Sequence, residues 1–205
     1  MVTHIQGLYA ITPDEGNTDL LLQKVEAALL GGVSVLQYRN KAANHKLKTQ
    51  QARAILPLCR QYHVPFIIND SVKLCLALDA DGVHLGADDG NLLEVRERLG
   101  VSKLLGASCY NQFNLALQAQ LAGADYVAFG ACFASNTKPN APEADLSLFN
   151  RAKLELGIPV IGIGGVTLQN AAQLIAAGAD AIAVINAIFN ADDIKSASRQ
   201  FSSLF

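Results

Sequence analysis

Eight short apolar runs, rich in β-branched residues, recur along the chain: GLYAIT, VSVLQYR, PFIIN, GVHLG, LLGASC, YVAFGACF, PVIGIGG and AIAVINAIF. Longer segments with helical spacing of apolar residues lie between them: TDLLLQKVEAALLGG, KTQQARAILPLCRQYH, the short SVKLCLALDA, NLLEVRERLG, NQFNLALQAQLAGA, LSLFNRAKLELGI and LQNAAQLIAAGAD. The runs are apolar on both alternating faces, so as strands they need cover on both sides. That requirement points to a parallel sheet with crossover helices.

An internal echo supports the count. LLGGVSVLQ, LDADGVHLG, LAGADYVAFG and IAAGADAIAV each lead from a helix end through small residues into a strand, and they precede strands two, four, six and eight. Glycine at those helix ends permits a left-handed cap. The 205 residues, 51% of them hydrophobic, suit one core rather than two domains. Eight strand–helix units in that length predict an α/β chain folded as a single (β/α)8 TIM barrel over residues 1–205, close to the lower limit of about 200 residues for that fold. A doubly wound open sheet is the alternative.

Charged residues make up 17% of the chain and the net charge is -2. Such a balance offers no electrostatic basis for binding nucleic acid or an anionic membrane. Any bound anion must be held by a local site. The four cysteines, Cys59, Cys75, Cys109 and Cys132, lack metal-binding spacing and sit in or beside apolar runs, as reduced thiols do. The start MVTHIQGLYAIT is not that of a signal peptide. The expectation is a soluble cytoplasmic protein, either a monomer or a small homo-oligomer.

Barrel active sites lie at the C-terminal ends of the strands, and polar residues concentrate there. Strand two is followed by Gln37, Arg39 and Lys41, strand three by Asn69 and Asp70, and strand four by Asp88 and Asp89. Ser108 ends strand five; Ser135, Thr137 and Lys138 follow strand six; Gly164 and Gly165 end strand seven, and Asn186 ends strand eight. The opposite ends mostly carry Gly, Ala and Pro. Taken singly, Asp70 and Asp89 read as helix N-caps, and His84 as a packed, hydrogen-bonded core residue. Taken together, three cations and a carboxylate pair suit a diphosphate with bound Mg²⁺. The loops after strands seven and eight suit a phosphate monoester held by backbone N–H groups. No nucleophile–base pair stands out, so charge stabilisation is the expected means of catalysis.

These pieces, in their order, resemble the thiamine phosphate synthase family along nearly the whole chain: LYAIT, LQYRNK, FIIND, ADGVHLGADD, LLGASCYN, ADYVAFGACFASNTK, IPVIGIGGV and GADAIAVINAI. That family is built on a (β/α)8 barrel. It joins a hydroxymethylpyrimidine diphosphate to a thiazole phosphate and releases diphosphate. The resemblance implies that Gln37, Tyr38, Arg39, Asn40 and Lys41 form the pyrimidine diphosphate segment, with Asn69 and Ser108 as further contacts. It makes Asp70 and Asp89 the Mg²⁺-associated carboxylates, and Asp88 a solvated neighbour. Ser135, Asn136 and Thr137 become the thiazole phosphate loop, with Lys138 reaching the diphosphate. Gly165, Ile185 and Asn186 become the phosphate cradle. Arg39, Lys41, Lys138 and Ser108 are the implied catalytic residues of a dissociative, Mg²⁺-assisted substitution. The loop before Lys138, with Pro139 and Pro142, is the expected lid. The chain departs from the family's usual pattern at Asn40 (commonly Glu), Ala87 (commonly Gln), GACFAS (commonly GPIFPT) and Asn186 (commonly Ser). A thiazole tautomerase and a non-catalytic binder of thiamine-precursor phosphates are the alternatives.

Overall fold

The computed structural model describes residues 5–86, 89–134 and 145–205. Eight parallel strands close into a barrel in the order β1 to β8. They are β1 (Gly7–Ile11), β2 (Val35–Tyr38), β3 (Phe66–Asn69), β4 (Gly82–Leu85), β5 (Leu104–Tyr110), β6 (Tyr126–Phe129), β7 (Val160–Ile163) and β8 (Ala181–Val184). The helices are α1 (Thr18–Leu30), α2 (His45–Gln61), α3 (Val72–Leu78), α4 (Leu92–Leu99), α5 (Phe113–Leu121), α6 (Ser147–Glu155), α7 (Ala171–Ala176), α8 (Asn186–Phe189) and α9 (Ile194–Ser202). The single barrel is therefore as expected, and the open sheet is excluded by the β1–β8 pairing.

Two boundaries differ from the sequence reading. The run AIAVINAIF is not one strand: β8 stops at Val184, and Asn186–Phe189 turns into a short helix. Helix α9 is a second addition. Asp193 caps it by accepting from Ser196 N at 2.8 Å. Ala197 and Phe201 are buried, and α9 packs against α1 and β1.

Alternation along each strand sorts side chains into two cores. Tyr9, Ile11, Val35, Ile67, Tyr126, Ile161 and Ala183 belong to one cluster, inside the barrel. Leu8, Ala10, Leu36, Tyr38, Phe66, Ile68, Val83 and Leu105 belong to the other, between sheet and helices. Gly106 makes the interior arrangement possible, because a Cβ there would meet the Tyr126 ring.

The four-fold echo has a physical basis. Gly32, Asp79, Gly123 and Gly178 occupy equivalent positions just past helices α1, α3, α5 and α7, all with positive φ. Two residues later stands a polar clamp. Asp81, Asp125 and Asp180 accept from Phe66 N, Leu105 N and Val160 N at 2.8, 2.7 and 2.9 Å. Ser34 instead donates, to the Gln6 and Leu8 carbonyls. Each clamp ties an even strand to the odd strand before it. The sequence reading concentrated polarity on the C-terminal rim; the N-terminal ends of the strands carry polar side chains too, and there they are used up on the backbone.

An alanine Cβ at position 106 would fall 2.1 Å from Tyr126 Cζ. Gly106→Ala should cost about 1–3 kcal/mol of stability through overpacking, read as a lower urea midpoint at unchanged slope. Gly16→Ala, where a Cβ meets nothing within 4 Å, should stay within about 0.5 kcal/mol of the parent.

Candidate active site

The inward positions of the strands, continued past their C-terminal ends, line one cavity of about 740 Å³. Its walls include Gln37, Arg39 and Lys41 from the β2 side, Asn69 and Asp70 after β3, His84 and Asp89 from β4 onward, and Ser108 from β5. Gly164, Gly165, Ile185 and Asn186 close the opposite side. Ile11, Ile161, Ile163 and Ala183 supply apolar wall between them.

The cations are held by the loop after β1. Thr12 Oγ1 donates to the Arg39 carbonyl at 2.8 Å and accepts from Arg39 N at 2.9 Å. Asp14 Oδ1 accepts from Lys41 N at 2.7 Å and pairs with Arg39 Nη1 at 3.4 Å. Neither Thr12 nor Asp14 was singled out from the sequence; the TPD that follows β1 was the available signal.

Tyr38 and Asn40 are corrections to the expected substrate contacts. With a period of two they point away from Gln37, Arg39 and Lys41, and neither lines the cavity. Tyr38 OH donates to Gln51 Oε1 at 2.8 Å on helix α2. Asn40 Nδ2 donates to the Glu15 carbonyl at 2.8 Å and to Gln51 Oε1 at 3.0 Å. Gln51 Nε2 also donates to that carbonyl, at 2.8 Å. This buried cluster fastens the β1 and β2 loops to α2. The side chain of Asn40 is spent on it.

The helix-cap reading of the two aspartates fails. Ser71 caps α3, its hydroxyl accepting from Leu74 N at 3.2 Å. Asn91 caps α4, accepting from Leu93 N at 2.9 Å. Asp70 instead sits in the left-handed region at φ 61, a conformation uncommon for a non-glycine residue and concentrated at functional sites. Its N–H donates to the His84 carbonyl at 2.9 Å. Asp89 folds back so that Oδ2 accepts from Gly86 N at 2.7 Å. Burial, then hydrogen bonding and charge from Asp89, push the Asp70 carboxyl above its usual range, against the pull of Lys41 and Arg39. Two carboxyl groups in contact, each acceptor-only when ionised, are the donor chemistry that a divalent cation suits. Among the described residues no third His, Cys, Asp or Glu joins them.

His84 is buried between Ser108 Oγ, 2.9 Å from Nε2, and Tyr126 OH, 3.3 Å from Nδ1. Burial pulls its pKa down to about 4, so it is neutral at neutral pH. That agrees with a packed core histidine.

On the far side, Gly164 and Gly165 have φ 97 and φ 64. A Cβ on Gly165 would lie 2.5 Å from the carbonyl oxygens of Phe133 and Ala134, so only glycine lets the β6 and β7 loops touch there. Asn170 Nδ2 ties off this turn by donating to the Gly165 carbonyl at 2.9 Å. Ser135, Asn136, Thr137 and Lys138, with Pro139 and Pro142, lie outside the described residues, as do Ala87 and Asp88.

A family model described as thiamine monophosphate synthase matches residues 8–188. The chain is 58% identical to the thiamine-phosphate synthase of Methylobacillus flagellatus over 201 residues, covering 98% of this chain and 96% of that one. It is 51% identical to the same enzyme of Nitrosomonas eutropha, covering 98% and 95%. The chain belongs to the thiamine monophosphate synthase family. A solved thiamine phosphate pyrophosphorylase from Pyrococcus furiosus superposes with a TM-score of 0.89 at 31% identity, covering 100% and 97% of the two chains. Within this family frame, the cavity brings together every site residue expected among the described positions except Tyr38 and Asn40. Tyr9 is the inward residue that sequence reading missed. It lines the cavity floor, and its alternation with Leu8 and Ala10 was the signal.

Asp70's raised pKa makes a prediction of defined sign. Its ionised form is disfavoured by folding, a penalty complete above the folded pKa and gone below the unfolded value of about 4. Asp70→Asn keeps the shape and suits the left-handed backbone. At pH 7 without metal it should melt above the parent, and the gap should close as pH falls towards 4. Equal melting temperatures at pH 7, read by differential scanning calorimetry, would count against strained carboxylates.

Proposed function

We infer that this cavity performs the thiamine phosphate synthase reaction, coupling a hydroxymethylpyrimidine diphosphate to a thiazole phosphate with release of diphosphate. The observation that carries the reading is the Asp70–Asp89 contact in the same cavity as Arg39 and Lys41. A carboxylate pair beside two cations is unfavourable ballast in an empty protein. It becomes useful once a diphosphate and a divalent cation arrive together.

Asp70 and Asp89 would hold Mg²⁺, which would supply positive charge to the diphosphate oxygens. Arg39 and Lys41, fixed through Thr12 and Asp14, bind the same group, with Lys138 as the expected third cation. Gln37, Asn69 and Ser108 face the pyrimidine. Backbone groups at Gly165 and Ile185, with Asn186, take the thiazole phosphate. The substitution is dissociative: the carbon–oxygen bond breaks with its electron pair going to diphosphate, and the thiazole nitrogen lone pair then forms the new carbon–nitrogen bond. No proton must be removed from the attacking nitrogen, so no protein base is required. A neutral His84 is consistent with that. The apolar walls at Ile161 and Ile163 keep water from competing for the cation. Four buried free thiols support a cytoplasmic location, and among the described residues no helix is long and apolar enough to cross a membrane.

Purified protein supplied with both substrates should release diphosphate with Mg²⁺ and fall silent with chelator. Binding of thiazole phosphate without turnover would favour the non-catalytic binder and sink the synthase reading. Arg39→Ala should lower kcat/KM by about 100- to 1,000-fold. Its melting temperature should hardly move, because a half-exposed pair such as Arg39–Asp14 contributes about 1 kcal/mol at most.

A further inference from the structure

Five polar side chains run across the barrel interior at the base of the cavity, and all but Tyr126 line it. Gln37 Nε2 donates to Tyr9 OH at 2.9 Å, and Tyr9 OH lies 2.8 Å from Tyr126 OH. Tyr126 OH lies 3.3 Å from His84 Nδ1, and His84 Nε2 lies 2.9 Å from Ser108 Oγ. Tyr9, Tyr126 and His84 are all buried. A phenol has one hydrogen to give, and a neutral imidazole has one N–H. Tyr9 receives from Gln37, so its own hydrogen goes to Tyr126. The Tyr126 hydrogen then goes to His84 Nδ1, which puts the imidazole hydrogen on Nε2, directed at Ser108. Ser108 keeps its hydrogen for the cavity, and Gln37 keeps Oε1. Among the described residues Ser198 Oγ is the only buried side-chain polar atom without a partner. Gln37 Oε1, bonded to none of them, is therefore open to the cavity that Gln37 lines.

We propose that Tyr9, Tyr126 and His84 are positioning residues that couple the polarity of Gln37 to that of Ser108, so that the cavity selects an aminopyrimidine over its oxo counterpart. The proposal rests on the pyrimidine reading above. An aminopyrimidine brings N–H donors on its amino group and lone pairs on its ring nitrogens, complementary to an acceptor at Gln37 and a donor at Ser108. A carbonyl in place of the amino group asks Gln37 to turn its NH2 outward. That turn removes the donor to Tyr9, reverses both phenols and moves the His84 hydrogen to Nδ1. It also draws the Ser108 hydrogen inward, away from the ring nitrogen. One change in the ligand is thus refused at two places.

Nitrogen-15 NMR of the ligand-free protein should show His84 as the neutral Nε2–H tautomer. The Nδ1–H tautomer or an imidazolium at neutral pH would overturn the proposal, whatever the protein binds. Calorimetric titration with the aminopyrimidine diphosphate and its oxo counterpart, in Mg²⁺ and without thiazole, supplies the second test. The parent should prefer the amino form by about 100-fold or more. Tyr126→Phe cuts the chain and lets Gln37 turn alone, so the preference should shrink about ten-fold, mainly through tighter binding of the oxo form. Affinity for thiazole phosphate should not change. A parent-like ratio in Tyr126→Phe overturns the coupling; Tyr9→Phe serves the same test if that variant does not fold. Failure of the parent to bind either diphosphate sinks the pyrimidine reading instead, and the tautomer still decides the chain.

Discussion

The two-residue period of the strands governs everything else in this molecule. On β2 it sends Gln37 inward and Tyr38 outward, and beyond the strand it sends Arg39 and Lys41 to the cavity while Asn40 joins Gln51. A slip of one residue would exchange the two sets. Arg39 and Lys41 would then face helix α2, and Tyr38 would enter the cavity. Register is pinned at both ends of the strand. Ser34 donates to two carbonyls at the entry, and Thr12 bonds both the N–H and the carbonyl of Arg39 at the exit. The geometry of the cation site is therefore a consequence of strand pairing.

Aspartate plays opposite parts at the two rims. At the N-terminal ends Asp81, Asp125 and Asp180 each accept from a backbone N–H of the neighbouring strand. Their charge is satisfied where it stands, and the clamp closes the barrel. At the C-terminal ends Asp70 and Asp89 face one another, and burial adds to their repulsion. One member of that pair also occupies a left-handed backbone conformation. Local rules are obeyed at one rim and broken at the other, and broken rules concentrate where a protein binds or reacts. The clamps and the two cores supply the stability that lets the other rim carry the strain.

The fold could be read from the chain because its signal is repetitive. Eight apolar runs and a four-fold helix-to-strand echo leave few alternatives to a barrel. Helix α9 and the break after Val184 escaped because each occurs once and has no echo. In the site, the positions of Gln37, Arg39, Lys41, Asn69 and Ser108 followed from strand ends alone. Alternation should also have excluded Tyr38 and Asn40, but motif resemblance carries no face. That Asp70 is not the cap of α3 is shown by its φ and by the hydroxyl of Ser71, which no local pattern announces. The Tyr9–Tyr126 hydrogen bond joins residues 117 positions apart, beyond the reach of any short motif.

Charge and dipole are separated by depth. At the base of the cavity stand Tyr9 and His84, with Tyr126 behind them; burial raises the pKa of both tyrosines and lowers that of the histidine to about 4. All three are neutral at neutral pH, so what they bring to the low-dielectric interior is oriented dipoles rather than charge. Arg39, Lys41, Asp70 and Asp89 lie at or beyond the strand ends, where water reduces the cost of carrying charge. A ligand with an uncharged ring and a multiply charged tail matches that gradient in one orientation only. The ring goes to the dipolar floor and the tail to the charged rim. An inverted pose would strip water from the phosphates against an apolar wall. Orientation is thus decided by desolvation before any single hydrogen bond forms.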